Sequence, residues 1–309
     1  MKLIFFDDFK LGILNGEMVI DVSDVVQSIT HIGPHNLMSG LIEQFDAYKD
    51  ALQEASDHRT GVPVNKVKLR APLPKPINII CMAVNYFGDG LRSEPTPINA
   101  FQKSPSAIIG DGDFIQLPDA PATIFEGEAE LALVIGKRAF NVSAKEAMNY
   151  VFGYLNFIDG SARGLPGGNF YQSKSRETFA PIGPYLVTAD EIPDPHNLQV
   201  QLWNNGVLMQ DYNTGGMTNK IPRIIEWITS IHTLEPGDIV AAGTDHRGLN
   251  PFQDGDQIEI ETEGLGRLQI RVRDDLKRTW ARETRGERQQ KELKGTTPQL
   301  TGKYADKPS

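Results

Sequence analysis

Short apolar runs alternate with turn residues at the start of the chain. Leu3 to Phe6, Leu11 to Leu14 and Met18 to Val22 each read as a β-strand, and Asn15-Gly16 joins the last two as a hairpin turn. Asn-Gly favours that turn because both residues adopt its positive-φ backbone at low cost. Further on, Leu41, Phe45, Tyr48 and Leu52 recur at the spacing of one helical face, which predicts a helix. These elements make a small α+β domain over residues 1–70. Pro72, Pro74 and Pro76 deny the stretch around them the backbone donors of a helix or central strand, so Val67 to Pro76 predicts an extended connector.

From there to Asp275 the pattern changes to short apolar strands punctuated by Gly, Pro, Asn and Asp. Glu130 to Ile135, Tyr185 to Thr188, Leu198 to Trp203, Ile239 to Ala242 and Ile258 to Thr262 are the clearest strands. Helices are expected only from Ala144 to about Val151 and from Ile221 to about Ile231. Frequent turns between short strands predict a β-rich roll or sandwich over residues 71–275, not a doubly wound α/β fold, and α+β is the class of the whole chain. Residues 276–309 turn basic and polar, with Lys277, Arg278, Arg282, Arg285, Arg288, Lys291 and Lys294 among acids. That composition predicts a solvated helix or frayed terminus in which only Trp280 docks.

Composition narrows the function classes. None of the 309 residues belongs to an apolar stretch approaching the roughly 20 that a membrane span needs, and acids follow the first apolar run too closely for a signal peptide. A cytoplasmic protein without a membrane partner is the expectation. A formal charge of −9 argues against a nucleic-acid partner, because phosphate is neutralised by a positive surface. The single cysteine, Cys81, lies in the apolar run Ile79 to Val84 and reads as core packing.

The chemistry is carried by carboxylates. In Phe125-Glu126-Gly127-Glu128-Ala129-Glu130-Leu131-Ala132 the apolar continuation reads as a buried strand, on which residues two apart share a face. Glu128 and Glu130 therefore point the same way where hydration is poor, and need a cation or a shared proton there. Asp159, in Phe157-Ile158-Asp159-Gly160, is the natural third acid. An all-oxygen donor set suits Mg²⁺, Mn²⁺ or Ca²⁺ and not zinc.

Further motifs extend from Ile77 to Asp275: Asn85-Tyr86, Lys103-Ser104-Pro105-Ser106-Ala107, the run Glu128 to Lys137, Gly153-Tyr154, Ser161-Ala162-Arg163 and Ser173-Lys174. They continue through Ala180 to Pro184, Asn205-Gly206 leading to Gln210, Thr233 to Asp238, Gly243-Thr244, Asp254-Gly255-Asp256 and Glu263 to Gly266. In this order they resemble the fumarylacetoacetate hydrolase family. The resemblance implies a mixed β-roll main domain behind a small N-terminal domain, a homodimer, and Mg²⁺ or Mn²⁺ held at Glu128, Glu130 and Asp159. It implies an enzyme that cleaves a C–C bond hydrolytically, decarboxylates or isomerises a small oxo acid or 1,3-dicarbonyl compound through a metal-stabilised enolate. Lys174 would stabilise the oxyanion, Arg163 would clamp a carboxylate or brace Asp159, and Gln210, Thr244 and Tyr86 would be hydrogen-bonding groups on the substrate side.

The sequence departs from the family where water is activated. A histidine three residues after Asn-Tyr and a glutamate three beyond it usually form a dyad on a lid; here Asp89 and Arg92 stand there. Asp245 replaces the proline usual after Gly-Thr, and His246 follows it. Asp89, His246 and Glu94 are the candidate bases. C–C hydrolysis is the first expectation. A lyase, decarboxylase or keto-enol isomerase, which needs only enolate stabilisation, and a non-catalytic metal- and ligand-binding protein both remain open.

Overall fold

The computed structural model describes residues 1–86 and 97–305. Strands β1 (Lys2–Phe6), β2 (Lys10–Asn15) and β3 (Met18–Asp21) form the expected meander, with Asn15 and Met18 paired across the Asn-Gly turn's mouth. The single expected helix is two, α1 (Pro34–Glu43) and α2 (Phe45–His58), broken at Gln44. Leu41 and Leu52 are buried in one core, against which Phe45 and Tyr48 pack half-buried, and Phe45 also meets the Phe152 ring edge-on at 4.9 Å. The connector is extended, with β4 (Val62–Pro63) on β3 and β5 (Leu69–Arg70) on β1.

The N-terminal strands are not a separate sheet. Leu3 pairs with Leu186, so β1 continues into the main domain's large sheet. That sheet has twelve strands, with β6 (Ile79–Met82), β7 (Ala100–Lys103), β8 (Ile108–Ile109), β10 (Ile124–Ile135), β11 (Val151–Arg163), β12 (Ala180–Thr188) and β15 (Ile239–Ala241) completing it. Its centre runs β1-β12-β11-β10-β15-β6-β7, with α3 (Phe170–Lys174) between β11 and β12 in sequence. A five-stranded sheet joins β9 (Phe114–Gln116), β13 (Gln199–Asn204), β14 (Val207–Asn213), β16 (Gln257–Thr262) and β17 (Arg267–Arg273), and packs across β10 to β12. The β-rich α+β architecture expected from the turn pattern is what the chain adopts.

Every residue of β10 is buried. Leu131, Leu133 and Ile135 face the core shared with the five-stranded sheet, while Ala132 and Val134 face the core under α1 and α2. Gly127 and Gly160, opposite one another, permit the close approach of two rings: a Cβ on Gly127 would sit 2.4 Å from Phe252, and one on Gly160 2.9 Å from Phe179.

The helix expected from Ala144 shrinks to a 3-10 turn, Ala147–Tyr150. Side chains of α4 (Ile221–Thr229) take the preceding backbone donors, Thr229 from Val142 and Glu226 from Ala144. Residues after Asp275 are not a solvated tail. Arg278 is fully buried against Asp274 and the carbonyls of Pro118 and Ala120, and the Trp280 indole, docked as expected, donates to Thr123 O at 2.7 Å. Beyond them lie β18 (Thr279–Trp280), α5 (Arg285–Gln290) and β19 (Gln299–Thr301). Lys277, Arg278, Arg282 and Arg285 find carboxylates placed by the main domain, which composition alone cannot reveal. Among the described residues no helix is long and apolar enough to cross a membrane.

Candidate metal centre and active site

Strands β10 and β11 place the acids. Glu128 lies directly opposite Asp159 in the antiparallel ladder, and Glu130 follows two residues on along the same face. One carboxylate oxygen from each of Glu128, Glu130 and Asp159 lies within 4.8 Å of the others, and all three residues are buried. The grouping read from the alternation is thus present in space.

Two ammonium groups sit against this cluster. Lys174, from α3, donates to Glu128 Oε1 at 2.8 Å and to Asp159 Oδ2, and its Nζ lies 5.2 Å from the centre of the Phe101 ring, which itself stacks on Phe170. Lys103, at the end of β7, donates to Asp159 Oδ1 at 2.5 Å and Gly160 O at 3.1 Å. Each oxygen of Asp159 therefore has its own lysine. Arg163 reaches Glu126 Oε2 through Nε at 3.2 Å and Glu128 Oε1 through Nη2. Arg285 takes Glu126 from its other side.

The charges are unevenly compensated. Burial alone would raise Glu128, but the Lys174 ammonium and the Arg163 guanidinium outweigh it and hold this carboxyl well below its ordinary range. Glu130 lies well above its range, because burial and the neighbouring Asp159 and Glu128 oppose its charge. Its ordered donor is the Gly243 N–H at 2.7 Å, and no ion pair reaches it among the described residues. A buried carboxylate without a basic partner beside two others is a donor set that fits a hard divalent cation. Its oxygen ligands, free of histidine and cysteine, suit Mg²⁺ or Mn²⁺.

The remaining candidates divide. His246 is half-buried on the wall of a cavity of about 630 Å³ that Arg163 also lines. Burial lowers its imidazole below the ordinary value despite the attraction of Glu128, which leaves the ring neutral near pH 7. Tyr86 is buried with its ring 4.9 Å from that of Tyr212, and among the described residues its hydroxyl makes no hydrogen bond of ordinary geometry. Burial, then Glu130 and Asp245, push this phenol up, so it remains protonated. The Gln210 amide is engaged by the chain's own groups. Its Oε1 accepts from Ala129 N, and its Nε2 donates to Thr244 Oγ1 and Asp245 O, both at 2.8 Å. Gln210 and Thr244 therefore brace the Gly243–Asp245 loop. Asp89, Arg92 and Glu94 lie outside the described residues.

Three contributors escaped the sequence reading. Glu126 was visible as the first member of the Glu-x-Glu-x-Glu alternation. Lys103 stood in a quoted motif but had no neighbour in sequence to suggest its partner. Arg285, 159 residues from Glu126, gave no signal at all.

Residues 78–273 match the family described as fumarylacetoacetate (FAA) hydrolase C-terminal. A mitochondrial oxaloacetate tautomerase of Bos taurus is 35% identical over 268 residues, 82% of this chain and 83% of that protein. Maleylpyruvate hydrolase of Aquipseudomonas alcaligenes is 30% identical over 289 residues, 88% and 99% of the two chains. A solved structure of maleylpyruvate hydrolase from Sphingobium sp. SYK-6, in complex with manganese(II) ion and pyruvate, aligns with a TM-score of 0.81 at 33% identity, covering 89% of this chain and 99% of that one. By the extent of the matched domain and the identity of these relatives, the chain belongs to the fumarylacetoacetate hydrolase family.

Proposed function

We propose that this protein is a divalent-metal-dependent enzyme that interconverts the keto and enol forms of a small oxo acid. The observation that carries the reading is the buried Glu128, Glu130 and Asp159 group, in which Glu130 has no ion-pair partner among the described residues. Glu128, Glu130 and Asp159 would hold Mg²⁺ or Mn²⁺. When bound, the ion supplies Lewis acidity at the oxo group, which favours loss of a proton from the adjacent carbon.

The chain's own residues divide the remaining work. Lys174 keeps positive charge beside the developing oxyanion, and the protonated Tyr86 phenol supplies a neutral donor. Arg163 offers its guanidinium to the substrate carboxylate. The neutral His246 imidazole takes the proton from carbon and returns it to oxygen. Gln210 and Thr244 act through the loop they brace. Tautomerisation uses one proton shuttle and no activated water, which suits a site whose usual dyad positions carry Asp89 and Arg92.

A second reading, hydrolytic C–C cleavage, is favoured by the likeness to maleylpyruvate hydrolases along most of the chain. A homodimeric assembly in the cytoplasm belongs to the same reading, and sedimentation tests the assembly.

Calorimetric titration of metal-stripped protein with Mn²⁺ and then oxalate, an enolate mimic, tests the site. Oxalate binding that requires Mn²⁺ and vanishes in Glu130→Ala is expected; its persistence in that variant defeats the proposal. Loss of the enol absorbance of oxaloacetate, set against release of pyruvate from acylpyruvates, separates the two reactions.

A further inference from the structure

Arg163 stands between two buried acids. It touches Glu126 at one point through Nε and turns Nη2 onto Glu128. A guanidinium beside a buried carboxylate ordinarily makes the stronger two-point contact. Here that arrangement on Glu126 belongs to Arg285, whose Nε reaches Oε1 at 3.0 Å and whose Nη2 reaches Oε2. With both oxygens engaged by Arg285, Arg163 keeps its outer edge directed at the metal-side acids and the cavity.

Arg285 lies beyond the family-matched residues, in a segment fixed to the site. Its N–H donates to Leu249 O at 2.9 Å, just after the His246 turn. Thr284 and Glu287 form a reciprocal capping box at the start of α5, Arg282 pairs with the buried Asp256, and Trp280 lies edge-on to Phe125, one residue before Glu126. Arg285 also lines the cavity with Arg163 and His246.

We propose that Arg285 is a positioning residue that acts through Glu126 to set the orientation of Arg163, and so fixes the anchor for the substrate's carboxylate. The inference rests on the reading of Arg163 given above. Without Arg285, Glu126 is a buried carboxylate with Arg163 as its sole cation among the described residues, and it draws that guanidinium into a two-point contact away from Glu128.

The test compares Arg285→Met, Arg285→Lys, Glu126→Gln and the double variant Glu126→Gln/Arg285→Met. In Arg285→Met, Mn²⁺ affinity stays near the parent's, while oxalate affinity falls and KM rises by about tenfold with a smaller change in kcat. Arg285→Lys, with a point charge in place of the fork, lies between. Removing the Glu126 charge as well abolishes the pull, so the double variant returns to the behaviour of Glu126→Gln alone. It also carries no uncompensated buried charge, so it folds where Arg285→Met is unstable. Effects that add in the double variant, or unchanged oxalate affinity in Arg285→Met, overturn the proposal. If the parent binds neither Mn²⁺ nor oxalate, the functional reading fails, and a crystal structure of Arg285→Met still decides this one. Arg163 Nη2 displaced from Glu128 supports it, and Nη2 in place defeats it.

Discussion

Replacing Lys103 with methionine separates what the buried ammonium does for folding from what it does to the metal site. The side chain is fully buried, and its Nζ serves Asp159 Oδ1 at 2.5 Å and Gly160 O at 3.1 Å. Breaking a buried ion pair from one side costs about 3–5 kcal/mol, because the surviving charge stays out of water. Asp159 keeps Lys174 on its other oxygen, and methionine fills the same volume, so the loss falls near the lower end, about 3 kcal/mol. Urea unfolding of metal-stripped protein measures it, with an unchanged m-value as the sign that only stability moved. Saturating Mn²⁺ then acts in the opposite direction. A divalent cation at the cluster is repelled by Lys103, so the variant gains more from the metal than the parent does. Binding at a thousandfold excess over Kd adds about 4.1 kcal/mol to any form that binds. An apo loss below about 1 kcal/mol, the level of an exposed pair, or a smaller metal-induced gain in the variant than in the parent, would refute the reasoning.

Gly127→Ala forces a Cβ to within 2.4 Å of the Phe252 ring and 2.8 Å of Ile158, between two of the site's acids. Stability drops by about 1–3 kcal/mol and Mn²⁺ affinity falls with it; adding Phe252→Leu, which removes the ring edge that the new methyl meets, recovers part of the Mn²⁺ affinity, and no recovery means the strain lies elsewhere. Arg278→Met leaves Asp274 buried without its bidentate partner and removes the guanidinium 4.6 Å from the Phe125 ring centre. A loss of about 3–5 kcal/mol, with faster proteolysis after residue 275, is expected in chemical denaturation and limited digestion. His196 accepts the Ile221 N–H at the start of α4, and burial, then Lys220, lower its value against the pull of Asp194. Because the folded value lies below the unfolded one of about 6.5, the stabilisation is complete above that pH and is lost as pH falls through the folded value. Between pH 7 and 5 the parent should lose more stability than His196→Gln; parallel curves would reject it.

The site's carboxylates were legible because their signal is local. Strand alternation alone aligns Glu128 with Glu130, and the apolar run after them announces burial. Asp159 was legible only as a neighbour of another apolar strand, and the ladder supplied the register that joins them. The break at Gln44 escaped because the helical face is continuous across it. The C-terminal segment was misread for a different reason. Arg278, Arg282 and Arg285 look solvated until Asp274, Asp256 and Glu126 are placed beside them. Gln210 shows the converse: a polar residue in a family motif near the site, whose amide is wholly engaged by the chain itself.

The insertion of β1 beside β12 also constrains the order in which the fold can form. Phe5 and Phe6 obtain partners from β5 as soon as Leu69 and Arg70 emerge, whereas Lys2 and Leu3 wait for Leu186 and Val187. At about 5–20 residues per second, translation takes roughly 10–35 s to deliver those partners. Throughout that interval the outer end of β1 presents unpaired backbone and apolar side chains. Partner strands so far apart in sequence also slow refolding from denaturant. An isolated N-terminal domain would keep that edge permanently open, as a template on which identical chains associate.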